Sequence, residues 1–268
     1  MWTWIAIICI IICFILVILC YIWLYILAEK QDARSKRTKD ARNRIAQMLS
    51  AIIDSPTETS QAAEIEALHD YILQNKRHMD ILSDMIIDGL LHGEEDDEKG
   101  RKALYKAYEA LQPQVYYSDL LRSGTPYEKA YACKKLASFY QEQEIPNIRK
   151  YIFSRNKELV YNAAMALAVL GDEDGLTAFI LSCEKNFEYS HRIIIELISV
   201  YSGNVKSLAA RVLENCNDYI KATMIKAVVS FKITDFESLY IQCVKHKDAN
   251  IRVAAIKALC EIGNPAYE

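Results

Sequence analysis

The chain reads as all-α: one membrane-spanning helix followed by an α-solenoid of stacked helical hairpins. Three observations carry that reading. Residues 1–28 hold no charged side chain. Gly (8) and Pro (5) are scarce among 268 residues, a helix-forming composition with little turn material. The C-terminal half also aligns on itself at a period of about 31 residues, the spacing of a helical-hairpin repeat. The net charge of −3 offers no overall basic field, so nucleic acid is not expected as a partner.

The first element is the span. A bilayer core needs roughly 20 apolar residues, and residues 1–28 supply them. Trp2 and Trp4 at one end, with Tyr21, Trp23 and Tyr25 at the other, stand where interfacial aromatic belts fall. The basic n-region and small-residue cleavage site of a secretory signal are missing, so the helix is expected to be retained. Lys30, Arg34, Lys36, Arg37, Lys39, Arg42 and Arg44 follow it, and no Lys or Arg precedes it. That asymmetry predicts a single-pass protein of the cell (inner or plasma) membrane, N-terminus outside and C-terminal part in the cytosol. The same seven residues are of the kind attracted to anionic headgroups. Cys9, Cys13 and Cys20 share a helical stripe, a spacing suited to helix contact in lipid or simply to apolar filling.

Residues 29–54 form a basic juxtamembrane linker, helical from about residue 32 to 53, in which Ile45, Met48, Leu49, Ile52 and Ile53 build an apolar stripe. Residues 55–113 form the helical N-terminal part of the solenoid. The run Ser55-Pro56-Thr57-Glu58 predicts a capping box with Ser55 as N-cap. The acidic run Gly93–Glu98 lacks the order of a calcium loop and reads as a solvated connection. A helix over 99–111 ends at Gln112-Pro113, and the regular repeats occupy 114–268.

Within the repeats, a shift of 92 residues matches Ala163 with Ala255, Ala166 with Ala258, Leu167 with Leu259 and Gly171 with Gly263. Starts near Thr125, Asn156, Asn186, Asn217 and Asp248 follow, with second helices predicted over 145–153, 175–184, 205–215 and 236–246. Small alanines let neighbouring first helices pack closely, while Leu and Ile fill a core that no single hairpin could bury.

The final unit, with Asp248, Ile251, Arg252, Ala255, Ala258, Leu259 and Gly263, resembles HEAT repeats of the short, phycobilisome-lyase type. The resemblance implies a HEAT/armadillo-like superhelix and a polar ladder between adjacent hairpins, here through Asp248 and Arg252, with Asp218 and Lys221 as a near match. It brings no chemistry with it. The units at Asn156 and Asn186 depart from the pattern.

No nucleophile triad, HExxH motif or glycine-rich phosphate loop is present among the residues, and the eight cysteines form no CxxC pair. Neither an enzyme, a metal nor a cofactor is therefore expected. Tyr105, Tyr108, Tyr116 and Tyr117 sit at helical spacing and are assigned to the core, with a contact surface as the alternative. A stack of hairpins offers an extended surface lined by second helices, so the expected function is a membrane-anchored scaffold or adaptor. Its partner is a protein, including the case of another membrane protein, with lipid contacted through the N-terminal helix. By analogy alone this suggests an accessory to an envelope or polysaccharide-assembly machine. Candidate contact residues on the second helices are Lys185, Lys206, Arg211, Glu214, Glu237 and Lys245. Ile251, Ile256, Leu259 and Ile262 are expected to form an apolar open end, because the sequence stops just after the last first helix, and that end is either covered by a partner or folded shut. The alternative function is an anionic-lipid module acting through the basic flank, and an enzyme subunit is the third reading.

Overall fold

The computed structural model describes all residues except Met1, Pro56, 92–97, 184–190, Lys232, Thr234 and 263–268; for residues 2–13, Ile15, Leu91 and His191 it describes the backbone course alone. The acidic run 94–97, Lys185, the start of the middle repeat at Asn186 and Gly263 therefore lie outside the described residues. Among the described residues all regular structure is helical. The chain divides into two compact units, Met1–Pro113 and Gln114–Glu268.

The first unit is organised by helix α1, Trp2–Asp54, which runs without a break through the predicted span and the linker. Every described side chain from Phe14 to Asp40 is exposed, and burial begins at Ala41. From there Ala41, Ile45, Leu49 and Ile52 recur at three-to-four spacing, one stripe of a helix. That stripe packs against α2 (Glu58–Leu73), α3 (Lys76–Leu91) and α4 (Glu98–Leu111). These contribute Leu68 and Ile72, Leu82 and Ile86, and Ala103 and Ala107 to a shared core. Among the described residues no helix is long and apolar enough to cross a membrane. Of the predicted span, the side chains of residues 1–13 and 15 lie outside the described residues.

The predicted capping box before α2 is corrected. Thr57, not Ser55, is the N-cap, its hydroxyl accepting from the Ser60 amide at 3.2 Å. Ser55 instead donates its hydroxyl to the Ala51 carbonyl at 2.8 Å and so belongs to the end of α1. Between α4 and α5 (Pro113–Ser123) Gln112 adopts φ 44°, a left-handed residue that ends one helix before a proline opens the next.

The second unit continues with α6 (Pro126–Ser138), a 3-10 turn (Glu142–Glu144), α7 (Ile145–Arg149), α8 (Lys157–Val169), α9 (Glu173–Ser182), α10 (His191–Ser199), α11 (Val205–Asn215), α12 (Asp218–Ser230), α13 (Glu237–Cys243) and α14 (Ala249–Ile262). Helices α6, α8, α10, α12 and α14 pack in that order, each on the next, while α9 packs on α11 and on α8. The result is a set of packed helix pairs around one core, in which Ala132, Ala163, Ala164, Ala166, Ala227, Ala255 and Ala258 are fully buried or nearly so.

Each first helix whose start is described opens on a side-chain cap. Thr125 accepts from the Glu128 amide at 3.4 Å, and the Thr125 amide donates to the Glu128 carboxylate at 2.9 Å, completing the capping box. Asn156 accepts from Leu159 N at 2.9 Å, Asn217 from Ile220 N at 2.9 Å and Asp248 from Ile251 N at 3.4 Å. The helix ends repeat as well. Gln141 N donates to Leu136 O around Tyr140 (φ 52°), and Asp172 N donates to Leu167 O around Gly171 (φ 72°), the same left-handed closure one period apart. Three second helices differ from their expected extents: α7 stops at Arg149, α9 starts at Glu173 and α13 is confined to Glu237–Cys243.

Candidate partner-binding surfaces

Of the residues the HEAT resemblance places in a polar ladder, Asp218 reaches the next interhelical loop, at 3.6 Å from Lys247 and 3.7 Å from His246, whereas Asp248 and Arg252 bond within their own unit. Asp248 accepts from its own helix amides, Asn250 N at 2.7 Å and Ile251 N at 3.4 Å. Arg252 donates to the His246 and Lys247 carbonyls, both at 2.9 Å, and so closes its own interhelical loop. Charge also links the second helices. Arg122, near the end of α5, reaches the buried Glu144 at 3.3 Å. The Arg149 guanidinium, in the last turn of α7, forks onto Asp172 through Nε and Nη2 and reaches Asp174 at 3.4 Å. Arg211 on α11 donates back to Glu173 at 3.1 Å and to Asp174 at 2.8 Å. Lys206 donates forward to Asp235 at 2.5 Å.

The helix ends explain the arrangement. Asp172, Glu173 and Asp174 stand at the N-terminus of α9, where carboxylates are favoured, and Arg149 at the C-terminus of α7, where a cation is favoured. Hydrogen bonding to Asp172 raises the Arg149 pKa further above its usual value. Arg211 holds the Asp174 carboxyl below the ordinary aspartate range, and Lys206 does the same for Asp235. Burial, reinforced by Glu173, pushes the Tyr201 phenol up.

The candidate contact residues fall into three groups. Lys206 and Arg211 are engaged in the ladder, so their charges join hairpins to one another. Glu214 and Lys245 are exposed, and Glu237 is half-buried and engaged. Ile251 and Leu259 are corrected, being 0% and 6% exposed: with Ala255 and Ala258 they lie on the inner stripe of α14. Its outward apolar side chains are Val253 (50%) and Ile256 (48%). Sequence reasoning passed over Phe153, in the turn after α7, and Ile241, on α13, both substantially exposed apolar residues on the second-helix side. A single apolar residue in a turn or in a two-turn helix gives no sequence signal for which way it faces.

Between α6 and α8 lies a groove of about 330 Å³ lined by Lys134, Ala137, Tyr161, Met165 and Val169. The Tyr161 hydroxyl donates to Glu196 at 3.0 Å, and its pKa is raised mainly by burial. In the first unit, the last turns of α1 and α3 and the exposed side of α4 enclose a larger cleft of about 550 Å³. Tyr105, assigned to the core from sequence, is 54% exposed on its wall; Tyr117 is fully buried as expected, and Tyr108 and Tyr116 are partly buried. The basic flank Lys30, Arg34, Lys36, Arg37, Lys39, Arg42 and Arg44 is exposed throughout, with Arg42 reaching Asp88 at 3.8 Å.

No family model and no curated protein matches the chain. Among solved structures it is similar to the crystal structure of an engineered protein, 15% identical, over 82% of this chain and 96% of that one, at a TM-score of 0.29. A likeness at that level carries no argument about fold or function. Among the described residues no group of His, Cys, Asp or Glu has the grouping a metal ion would need.

Proposed function

We propose that the protein is a single-pass membrane scaffold whose C-terminal unit is a HEAT-like α-solenoid that docks a protein partner at the cytosolic face. The observation that carries the membrane half is the profile of α1. Its consecutive side chains from Leu16 to Leu27 are apolar, all but Cys20 large, and exposed over more than three turns, whereas the same helix buries one clean stripe from Ala41 onward. A helical segment of residues 2–28 is about 40 Å long at ~1.5 Å per residue, enough for a hydrocarbon core of about 30 Å.

The repeat reading is supported by the caps at Thr125, Asn156, Asn217 and Asp248, which fall one, two and one periods apart, and by the like closures at Tyr140 and Gly171. The docking reading is supported by the second-helix side, where the ladder fixes neighbouring hairpins and leaves Phe153 and Ile241 outward. An exposed apolar side chain on a surface that also carries paired charges is what a contact residue with a polar rim requires.

Two readouts test the proposal. Alkaline carbonate washing of native membranes is expected to leave the full chain in the pellet; release to the supernatant would remove the anchor. Capture from detergent-solubilised membranes is expected to retrieve a stoichiometric partner that is lost with Phe153→Asp and Ile241→Asp together. Equal retrieval by that variant would remove the second-helix surface. The basic flank favours a second reading, an anionic-lipid module, in which reversing Lys30, Arg34, Lys36 and Arg37 abolishes function with the partner still bound.

A further inference from the structure

The cleft in the first unit is built from residues 52–109 alone and shares no residue with the second-helix surface of the proposed scaffold. Its floor is apolar: Ile52 and Ile53 from the end of α1, Leu90 from α3 and Ala103 from α4, with Tyr105 on the wall. Its rim is cationic. Lys99, Lys102 and Lys106 recur at three and four residues, so they form one ridge along α4, with Arg101 beside it. Glu98 and Glu109 stand on the same helix at either end of the lysines. Glu98 and Lys102 pair at 2.6 Å, a hydrogen bond that lowers the Glu98 pKa and offsets one charge of each sign, so Lys99, Arg101 and Lys106 stand on this rim against Glu109. Lys106 donates to the neutral Gln61 amide oxygen at 2.7 Å, a contact that orients the ammonium without cancelling its charge.

We propose that this cleft is a docking site for an acidic amphipathic segment of a partner protein, apolar anchors seated on the Ile52–Ile53–Leu90 floor and carboxylates along the Lys99–Lys102–Lys106 ridge. The spacing of the charges selects a polypeptide. From Lys99 to Lys106 the ridge is about 10 Å long at ~1.5 Å per residue. A helical or extended segment spreads its carboxylates over such a length, whereas a lipid headgroup concentrates its charge within a few ångströms. The open, about 550 Å³ volume takes two or three apolar side chains and leaves the ligand backbone in solvent.

The chain's own acidic run, Glu94-Glu95-Asp96-Asp97, precedes this ridge in sequence and is the competing occupant that the experiment must separate. The probe is a fluorescein-labelled synthetic peptide with leucines at helical spacing flanked by glutamates, titrated by anisotropy against the full chain in detergent. A counterpart with lysine in place of every glutamate is the control. The expected result is saturable binding of the glutamate peptide alone. It should weaken at least tenfold in the Lys102→Glu, Lys106→Glu variant, whose changes lie on exposed positions, and similarly when salt rises from about 0.05 to 0.5 M. Binding that is indifferent to those two substitutions, or equal binding of the lysine peptide, overturns the proposal. So does binding that is absent from the unaltered chain and gained only when the run 94–97 is neutralised to Gln and Asn, because the cleft then belongs to the chain's own segment. Phe153→Asp with Ile241→Asp is expected to leave peptide binding unchanged, so failure of the scaffold reading and failure of this one remain distinguishable.

Discussion

Arg149 and Asp172 join neighbouring hairpins: a guanidinium at the end of α7 grips, through two nitrogens, a carboxylate that is only 4% exposed at the start of α9. Asp172 also accepts no competing cation from its own helix, so the joint depends on one side chain from the preceding pair. Removing Arg149 leaves a buried carboxylate without its counter-ion, which is costlier than losing a surface pair. Arg149→Ala is therefore expected to destabilise the chain by about 2 kcal/mol. Lys206→Ala, which breaks an exposed pair with Asp235, should be barely detectable beside it. Urea unfolding of the two detergent-solubilised variants makes the comparison.

The ladder has a pH signature with a definite sign. Asp174 and Asp235 have pKa values below their ordinary 3.8, through Arg211 and Lys206 respectively. A depressed carboxylate contributes stability above its unfolded pKa and loses it as pH falls through the folded value. Stability is thus expected to be insensitive to these groups from neutrality down to about pH 5 and to decline below about pH 4. Asp174→Asn should flatten the decline, as read from urea midpoints at a series of pH values.

The paired helix closures respond oppositely to substitution. At Gly171 a Cβ would be held at φ 72° and only 2.9 Å from the Ser202 hydroxyl, so Gly171→Ala is expected to cost about 1–2 kcal/mol. Tyr140 occupies the equivalent left-handed position with its side chain 58% exposed. Tyr140→Gly relieves that backbone at little loss of burial and should gain up to about 1 kcal/mol. Thermal unfolding of the two variants should shift in opposite directions.

Thiol chemistry separates the core from the outer face of the last helix. Burial pushes the Cys133 and Cys183 thiols up to about 12, which keeps them protonated and inert. Cys260, on the outer side of α14, is exposed. Native chain treated with a maleimide at about pH 8 is expected to label Cys260 rapidly and to spare Cys133 and Cys183 until denatured. Because the folded pKa values of these two buried thiols are raised, they withdraw stability as pH rises from 9 toward 12, the reverse of the acid limb.

Much of this architecture is legible in the sequence because it is written in local rules. Thr125, Asn156, Asn217 and Asp248 announce helix starts by residue type, and the alanines at 163, 166, 255 and 258 mark where helices approach. The ladder between second helices was not legible. Arg122 to Glu144 and Arg149 to Asp172 span 22 and 23 residues, off the repeat period, so aligning the repeat on itself cannot bring them into register. The facing of α14 was misread for another reason. Ile251, Val253, Ile256 and Leu259 are alike in hydropathy, and only the packing on α12 and α13 decides that Ile251 and Leu259 turn inward. The cleft in the first unit joins α1, α3 and α4 across some fifty residues, a juxtaposition that periodicity within one helix does not contain.

The most direct test of the scaffold is site-specific photo-crosslinking in native membranes, with a photoreactive residue placed in turn at Phe153, Ile241, Val253 and Ile256 of the full chain. The account expects one discrete adduct of the same partner from Phe153 and Ile241, and none from Val253 or Ile256. Adducts only from the α14 positions, or none from any position in chain that remains folded and membrane-bound, would contradict it.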